Sequence, residues 1–388
     1  MKRHTGFIPA VFLVAVMAVP SASADDFKPY PAQLEGKKIA IFLDQDYQID
    51  EAWYTPMRLK EAGAEVKVVS NYSPVVSRDF HTVKTDITPV EALKTQWDGV
   101  VVIGGFSPIE IRESKDVINI IKTVNNNKGM VAAICHGVCA LVTADVIKGK
   151  HVTGNIPRSI EFSNAGGIYH EVAPQVDDNI VTAIGPGDNG PFLDAMINWF
   201  NGGEEAAKAH LSDQYLKGKK IAVVFDQRYD YDQAKYPFVR FRHNGADVYY
   251  IAKADGEYNE YRRENKIKAD YNAQDALNER FDALILLSHW AADTYRRNAD
   301  IRQFVSKNLN RGTLVASVNW GHTVLIETGD CKGREIATTW GMQNDIKNAG
   351  GIPVLKPVHR DRNLITCASD EDMPELMRYL AGYLTTMK

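Results

Sequence analysis

Short apolar runs rich in β-branched residues recur along the chain, spaced so that a helix fits between them. Lys38 to Leu43 is such a run, Val66 to Val69 the next, then Gly99 to Ile103 and Val131 to Ile134. Runs this short, without polar alternation, predict strands buried on both faces. Asp50 to Ala62 carries helical periodicity and stops at Gly63, and a helix through Ala144 follows the fourth run directly. Alternating strands and helices predict an α/β fold with a doubly wound parallel sheet, whose ligand site lies beyond the carboxyl ends of the strands.

The pattern occurs twice. GKKIAIFLDQDYQIDEAWY, from Gly36, returns as GKKIAVVFDQRYDYDQAKY from Gly218, an offset of 182 residues. WDGVVVIGGFSPIEIR, from Trp97, is matched by FDALILLSHWAADTYR from Phe281, and Asn164–Gly167 by Asn348–Gly351 at an offset of 184. Three blocks in the same order mark the tandem duplication of a whole domain, not a short solenoid repeat. The expected organisation is a first domain at 36–201, a linker at 202–217 and a second domain at 218–388. The Glu and Ala content of the linker favours a short helix over a floppy tether.

Composition adds exclusions. With 388 residues, a net charge of −4, 24 % charged and 45 % hydrophobic residues, the chain is neither disordered nor collagen-like, and it has no basic footprint for nucleic acid. Met1-Lys2-Arg3-His4, the apolar run Phe7 to Val19 and Ser21-Ala22-Ser23-Ala24 have the form of a cleavable export signal over 1–24. That predicts a periplasmic protein with no membrane partner once the leader is removed. Such a compartment permits disulfides, so Cys331 and Cys367 are candidates for a pair. The histidines show no metal-ligand spacing, so neither metal nor other cofactor is expected.

The candidate chemistry sits in Met130–Leu141, where an apolar strand runs straight into a helix with Cys135 at the junction. This is the form of a nucleophile elbow, which lifts a side chain over the sheet edge. The N–H groups and positive end of the following helix are expected to favour the thiolate. Gly137 leaves room for close strand–helix packing. Gly104-Gly105, after another strand, lets the backbone approach a ligand, and with the N–H of His136 it can form an oxyanion hole. Glu51, near the start of the first helix, can share a proton with the thiol, or simply favour the helix dipole. Cys139, four residues after Cys135, reads as core.

In the second copy Cys135 becomes Asn319, His136 becomes Trp320, Gly104-Gly105 becomes Ser288-His289 and Glu51 becomes Gln233. All the reactive groups change together while the framework glycines stay. The second domain therefore reads as a noncatalytic scaffold forming an intramolecular pseudo-dimer. It lends His289 or Trp290 to the first site only if the domain geometry allows.

Together, AICHG (Ala133–Gly137), the Gly104-Gly105 turn, Glu51, Lys148-Gly149-Lys150 with Thr153, Asn164-Ala165-Gly166 and Gly185-Pro186-Gly187 resemble the ThiJ/PfpI superfamily, of the class I glutamine amidotransferase-like fold group. The resemblance covers 36–200 well and reaches 218–388 through the duplication. It implies two tandem flavodoxin-like domains, with Cys135 as nucleophile, Glu51 as acid/base or thiol-bonding carboxylate, His136 as neighbouring base, and Gly105 and His136 as oxyanion donors. It also implies homo-oligomers in many relatives, and a reaction that needs no cofactor. Two departures stand out. Ile109 follows Pro108 where the protease-like branch has Glu, with Glu110 one position later, and Val152-Thr153-Gly154-Asn155 stands where some lyase-like relatives carry His. Three functions follow as expectations: a glyoxalase- or deglycase-like enzyme acting on a small carbonyl compound, a cysteine peptidase or amidase acting on a peptide, or a nonenzymatic chaperone or redox sensor.

Overall fold

A computed structural model describes residues 29–209 and 214–386. The leader expected at 1–24 lies outside the described residues, as does 210–213 of the linker. The first domain contains β1 (Lys38–Phe42), α1 (Ile49–Glu61), β2 (Glu65–Val69), β3 (Gly99–Val102), β4 (Met130–Ile134), β5 (Gln175–Asp177) and β6 (Ile180–Ala183). Its sheet order is β2-β1-β3-β4-β6-β5, parallel except for the edge strand β5. β3 and β4 are buried along their whole length, as strands covered by helices on both faces must be.

The helix α2 (Asn189–Ala209) closes the domain and kinks at Gly202 and Gly203. Both glycines leave helical geometry, so 204–209 is a short helix of its own beyond the kink, as the Glu and Ala content of the linker predicts.

The second domain repeats the plan with β7 (Lys220–Val224), α3 (Tyr231–His243), β8 (Asp247–Ala252), β9 (Tyr271–Asn272), β10 (Ala283–Leu286), β11 (Leu314–Val318), β12 (Val358–Asp361), β13 (Leu364–Cys367) and α4 (Met373–Thr386). Its order is β9-β8-β7-β10-β11-β13-β12. The two domains are therefore tandem flavodoxin-like α/β sheets. Among the described residues no helix is long and apolar enough to cross a membrane. All four cysteines are free and buried, so Cys331 and Cys367 are not joined.

The domains pack α1 against α3, and one buried apolar cluster runs through both. Trp53 meets Tyr231 and Tyr236 edge-on at 6.2 and 6.4 Å. At the centre, the buried Arg240 guanidinium grips Glu61 through Nε at 2.9 Å and Nη2 at 2.8 Å. Tyr236 donates to the same carboxylate, and Arg58 lies 3.4 Å from Asp194, which also holds His243 at 2.8 Å. Burial alone would raise the Glu61 carboxyl; Arg240 and Arg58 outweigh it and hold it below the usual range. A buried pair of this kind is costly to break from one side, because the remaining charge is stranded. Arg240→Met should lower unfolding stability by about 3–5 kcal/mol, read from urea midpoints, and adding Glu61→Gln should recover part of the loss. A single variant as stable as the double would show that the pair does not hold the domains together.

Candidate active site

β4 ends at Ile134 and the chain turns through Cys135–Gly137 into a short helix at Val138–Thr143. Cys135 takes φ +58°, a conformation that costs a β-carbon-bearing residue energy and is tolerated where the surroundings enforce it. The enforcing contact is on the next strand: a β-carbon on Gly137 would stand 2.3 Å from the Val102 carbonyl oxygen. The helix is thereby pressed against β3, and Cys135 is held at the bend. Gly105 (φ +79°) lies against the 46–48 loop, where a β-carbon would come within 2.4 Å of the Gln48 nitrogen. Phe106 N–H donates to the Asp46 carbonyl at 2.9 Å and pins this turn.

The geometry brings Cys135, His136, Glu51, Gly104 and Gly105 together. The Cys135 sulfur has His136 Nδ1 at 3.5 Å and Asn155 Nδ2 at 3.8 Å, and the backbone N–H groups of His136 and Gly105 face it. Glu51, fully buried in the first turn of α1, accepts the Gly104 N–H on Oε2 at 2.8 Å. Its Oε1 is buried without a partner, and the Cys135 thiol lies within reach of the carboxyl. Gly104 is thus corrected from oxyanion donor to anchor: its N–H is occupied by Glu51, and Gly105 and His136 are left for an oxyanion.

Burial pushes the Glu51 carboxyl up to about 8, so at neutral pH it is largely protonated. Burial, and then the negative charge of Glu51 when present, push the Cys135 thiol up to about 11, against the pull of the two N–H groups and the Asn155 amide. The expectation that the helix would favour the thiolate is corrected. Cys135 is 8 % exposed, and desolvation outweighs the hydrogen bonds that the helix start and Asn155 offer the sulfur. The carboxyl therefore loses its proton before the thiol does, and its charge then opposes ionisation of the sulfur. His136 is held below its usual range by burial and by the charge of Arg158, which leaves it a neutral base. It stacks on Phe106, and Arg78 lies 3.8 Å over the far ring.

Two openings reach this constellation. A small one of about 30 Å³ is lined by Gly105, Phe106, His136, Cys139, Arg112 and Arg158, among others. A cleft of about 320 Å³ runs along Asp46–Asp50, Ser77–Asp79, Gly105 and Phe106, and its far wall is Tyr231 and Asn265 of the second domain. Tyr231 donates to Asp50 at 3.0 Å, and Asp232 holds His81 at 3.1 Å. The second domain thus shapes the approach to the first site, through Tyr231 and Asn265; His289 and Trp290 line a separate pocket of their own domain. Cys139 faces Glu161 at 3.7 Å, and burial pushes it up to about 12.

Glu110 lies beside Asp44, whose carboxyl is pushed up to about 6 by burial and by that neighbouring charge. Among the described residues no carboxylate hydrogen-bonds the His136 ring, and no group of His, Cys, Asp and Glu is arranged to hold a metal ion. Asn155 is the functional residue that sequence reasoning missed. Its backbone N–H also donates to the Cys135 carbonyl at 3.1 Å, and its place in the loop after Val152-Thr153 was the signal that could have pointed to it.

A profile of the DJ-1/PfpI family matches residues 37–198 and again 219–382. The chain is 32 % identical over 152 residues to the deglycase PfpI of Pyrococcus furiosus, covering 39 % of this chain and 92 % of that protein. It is 30 % identical over 165 residues to YraA of Bacillus subtilis, named as a candidate cysteine protease, covering 42 % and 97 %. Among solved structures, a two-domain protein of Anabaena variabilis with DJ-1/ThiJ/PfpI-like and ferritin-like domains is 31 % identical, with a TM-score of 0.41, covering 42 % of this chain and 50 % of that one.

Proposed function

The chain belongs to the DJ-1/PfpI family, and on that footing we propose that its first domain is a cofactor-independent enzyme whose Cys135 adds to the carbonyl carbon of a small reactive dicarbonyl compound, with a glyoxalase- or deglycase-like outcome. The observation that carries this reading is the Glu51 carboxyl, fully buried beside Cys135 with Oε2 on the Gly104 N–H and Oε1 unpaired, where the His136 and Gly105 N–H groups act on the sulfur. As the C–S bond forms, the ionised fraction of Glu51 takes the thiol proton, and Gly105 and His136 N–H receive the developing oxyanion. The carboxylic acid returns its proton to that oxygen, giving a hemithioacetal.

With an aldehyde next to a ketone, neutral His136 removes the proton from the former aldehyde carbon. The resulting enediolate is reprotonated on the neighbouring carbon, leaving a thioester. Water hydrolyses it to a hydroxy acid and frees the thiol. The hydrogen moves within the substrate, so no outside oxidant or reductant takes part.

A peptidase reading has the likeness to YraA in its favour, but such a mechanism wants an orienting carboxylate on the histidine, and Glu110 points to Asp44 instead. The test is a substrate panel on the wild-type protein. Conversion of methylglyoxal to lactate, with chromogenic amides untouched, is the expected result. Amide release without methylglyoxal turnover would move the assignment to the peptidase. No turnover of either, with Cys135 oxidised to sulfinate at low peroxide, would make the protein a sensor and end the enzyme reading.

A further inference from the structure

The second domain has lost the reactive groups yet kept the architecture that held them. Asn319 sits at the elbow with φ +40° and His289 takes the left-handed conformation of Gly105, φ +60°. Gln233 accepts the Ser288 N–H at 3.1 Å as Glu51 accepts that of Gly104. A decayed site with no remaining use would be expected to fill with side chains. Here the cavity is larger, about 230 Å³ against about 30 Å³ beside His136, and it is lined by Ser288, His289, Trp290, Asn319, Trp320 and Asp370.

Three features limit what the cavity can hold. Trp290 and Trp320 are 42 % and 46 % exposed, which is a large apolar area to leave in water. Arg228 covers Trp290 at 4.5 Å, whereas no ring or cation stacks on Trp320 among the described residues. The charges are already matched, with His289 held by Asp370 at 2.9 Å, and Arg228 adds a fixed positive group that discourages a cation. Finally, the polar side chains that line the cavity beside the two rings are Ser288, His289, Asn319 and Asp370, whereas the unpaired Oδ1 atoms of Asn319 and Asp370 and Nε2 of Gln233 are sealed from solvent and do not face it. That lining offers hydroxyl, imidazole, amide and carboxylate groups, donors and acceptors together, and the hydroxyl is the simplest group that meets both.

We propose that this pocket is a noncatalytic binding site for an uncharged, polyhydroxylated ring of the sugar class, with its apolar face on Trp320 and its edge hydroxyls on Asn319 and Asp370. The inference is independent of the chemistry assigned to Cys135. The test uses the full chain, with saturation-transfer NMR and tryptophan fluorescence titrations against glucose, galactose, mannose and N-acetylglucosamine, and with choline as the cationic comparison. At least one pyranose should bind equally to the wild type and to Cys135→Ala. Trp320→Ala, which removes an exposed ring, should weaken that binding by roughly tenfold or more with an unchanged near-UV spectrum outside the lost indole. Asn319→Asp, which places a charge beside Asp370, should weaken it as well. Binding of choline alone, binding of none of the sugars, or sugar binding that both variants retain in full would each overturn the proposal.

Discussion

Cys135→Ala should lower methylglyoxal turnover at least about a thousandfold, because the variant has no group that can form the covalent intermediate. No other sulfur can replace it. Cys139 is buried against Glu161 with its thiol pushed up to about 12, and Cys331 and Cys367 are sealed in the second domain. The fold should persist, since the bend at residue 135 is enforced by the contact of Gly137 with β3 and not by the thiol. Turnover is read by lactate formation and folding by thermal melting. A folded alanine variant that keeps even a tenth of the activity would remove Cys135 from the mechanism.

The second large effect is a split between activity and stability in Glu51→Gln. The amide oxygen can still accept the Gly104 N–H, but the side chain no longer takes a proton, so turnover should fall by about a hundredfold, the scale of a lost general acid–base. Stability should move the other way with pH. The carboxyl titrates at about 8 when folded, against an ordinary 4.5. Its raised value means that the folded state holds the proton longer, so the contribution is fully present below about 4.5. It is lost progressively until about 8, where the cost of a buried charge is complete. The glutamine variant has no such titration. Its advantage over wild type should therefore be near zero at pH 4 and grow to as much as about 5 kcal/mol above pH 8. The charge that repels the thiolate is also gone, so alkylation of Cys135 should show a lower pH midpoint in the variant. A stability difference that stays flat from pH 5 to 8 would mean that Glu51 is not a buried, shifted carboxyl.

Much of this was legible in the chain itself. The apolar runs mark the core strands to within a residue: β2 and β4 begin one residue before the runs, at Glu65 and Met130, and the two differences at strand ends share one cause. β1 ends at Phe42 and β3 at Val102, one residue short of the apolar runs, because Leu43 and Ile103 leave the sheet to build the loops around the site. The elbow at Cys135 was visible because a strand meeting a helix with no turn residues between them has few ways to fold. The duplication showed that the second copy had lost its reagent, since aligned positions need no coordinates. Less was visible where groups distant in sequence meet. Asn155 reaches the sulfur from 20 residues away, and Tyr231 and Asn265 reach the cleft from another domain.

What the sequence by itself determined is the plan: two copies of one parallel-sheet domain, one with a cysteine at the strand–helix bend and one without. Local patterning and internal repetition suffice for that, because each is written in near neighbours. What only the tertiary structure decided is the state of the reagent and the shape of the two pockets. The helix after Cys135 argued for a thiolate, but the depth of burial beside Glu51 favours the protonated forms. The substitutions in the second copy argued for an inert scaffold, but the side chains there leave an open, Trp-lined cavity edged by Ser288, Asn319 and Asp370. Desolvation and cavity shape are properties of everything that surrounds a group, and no local stretch of chain contains them.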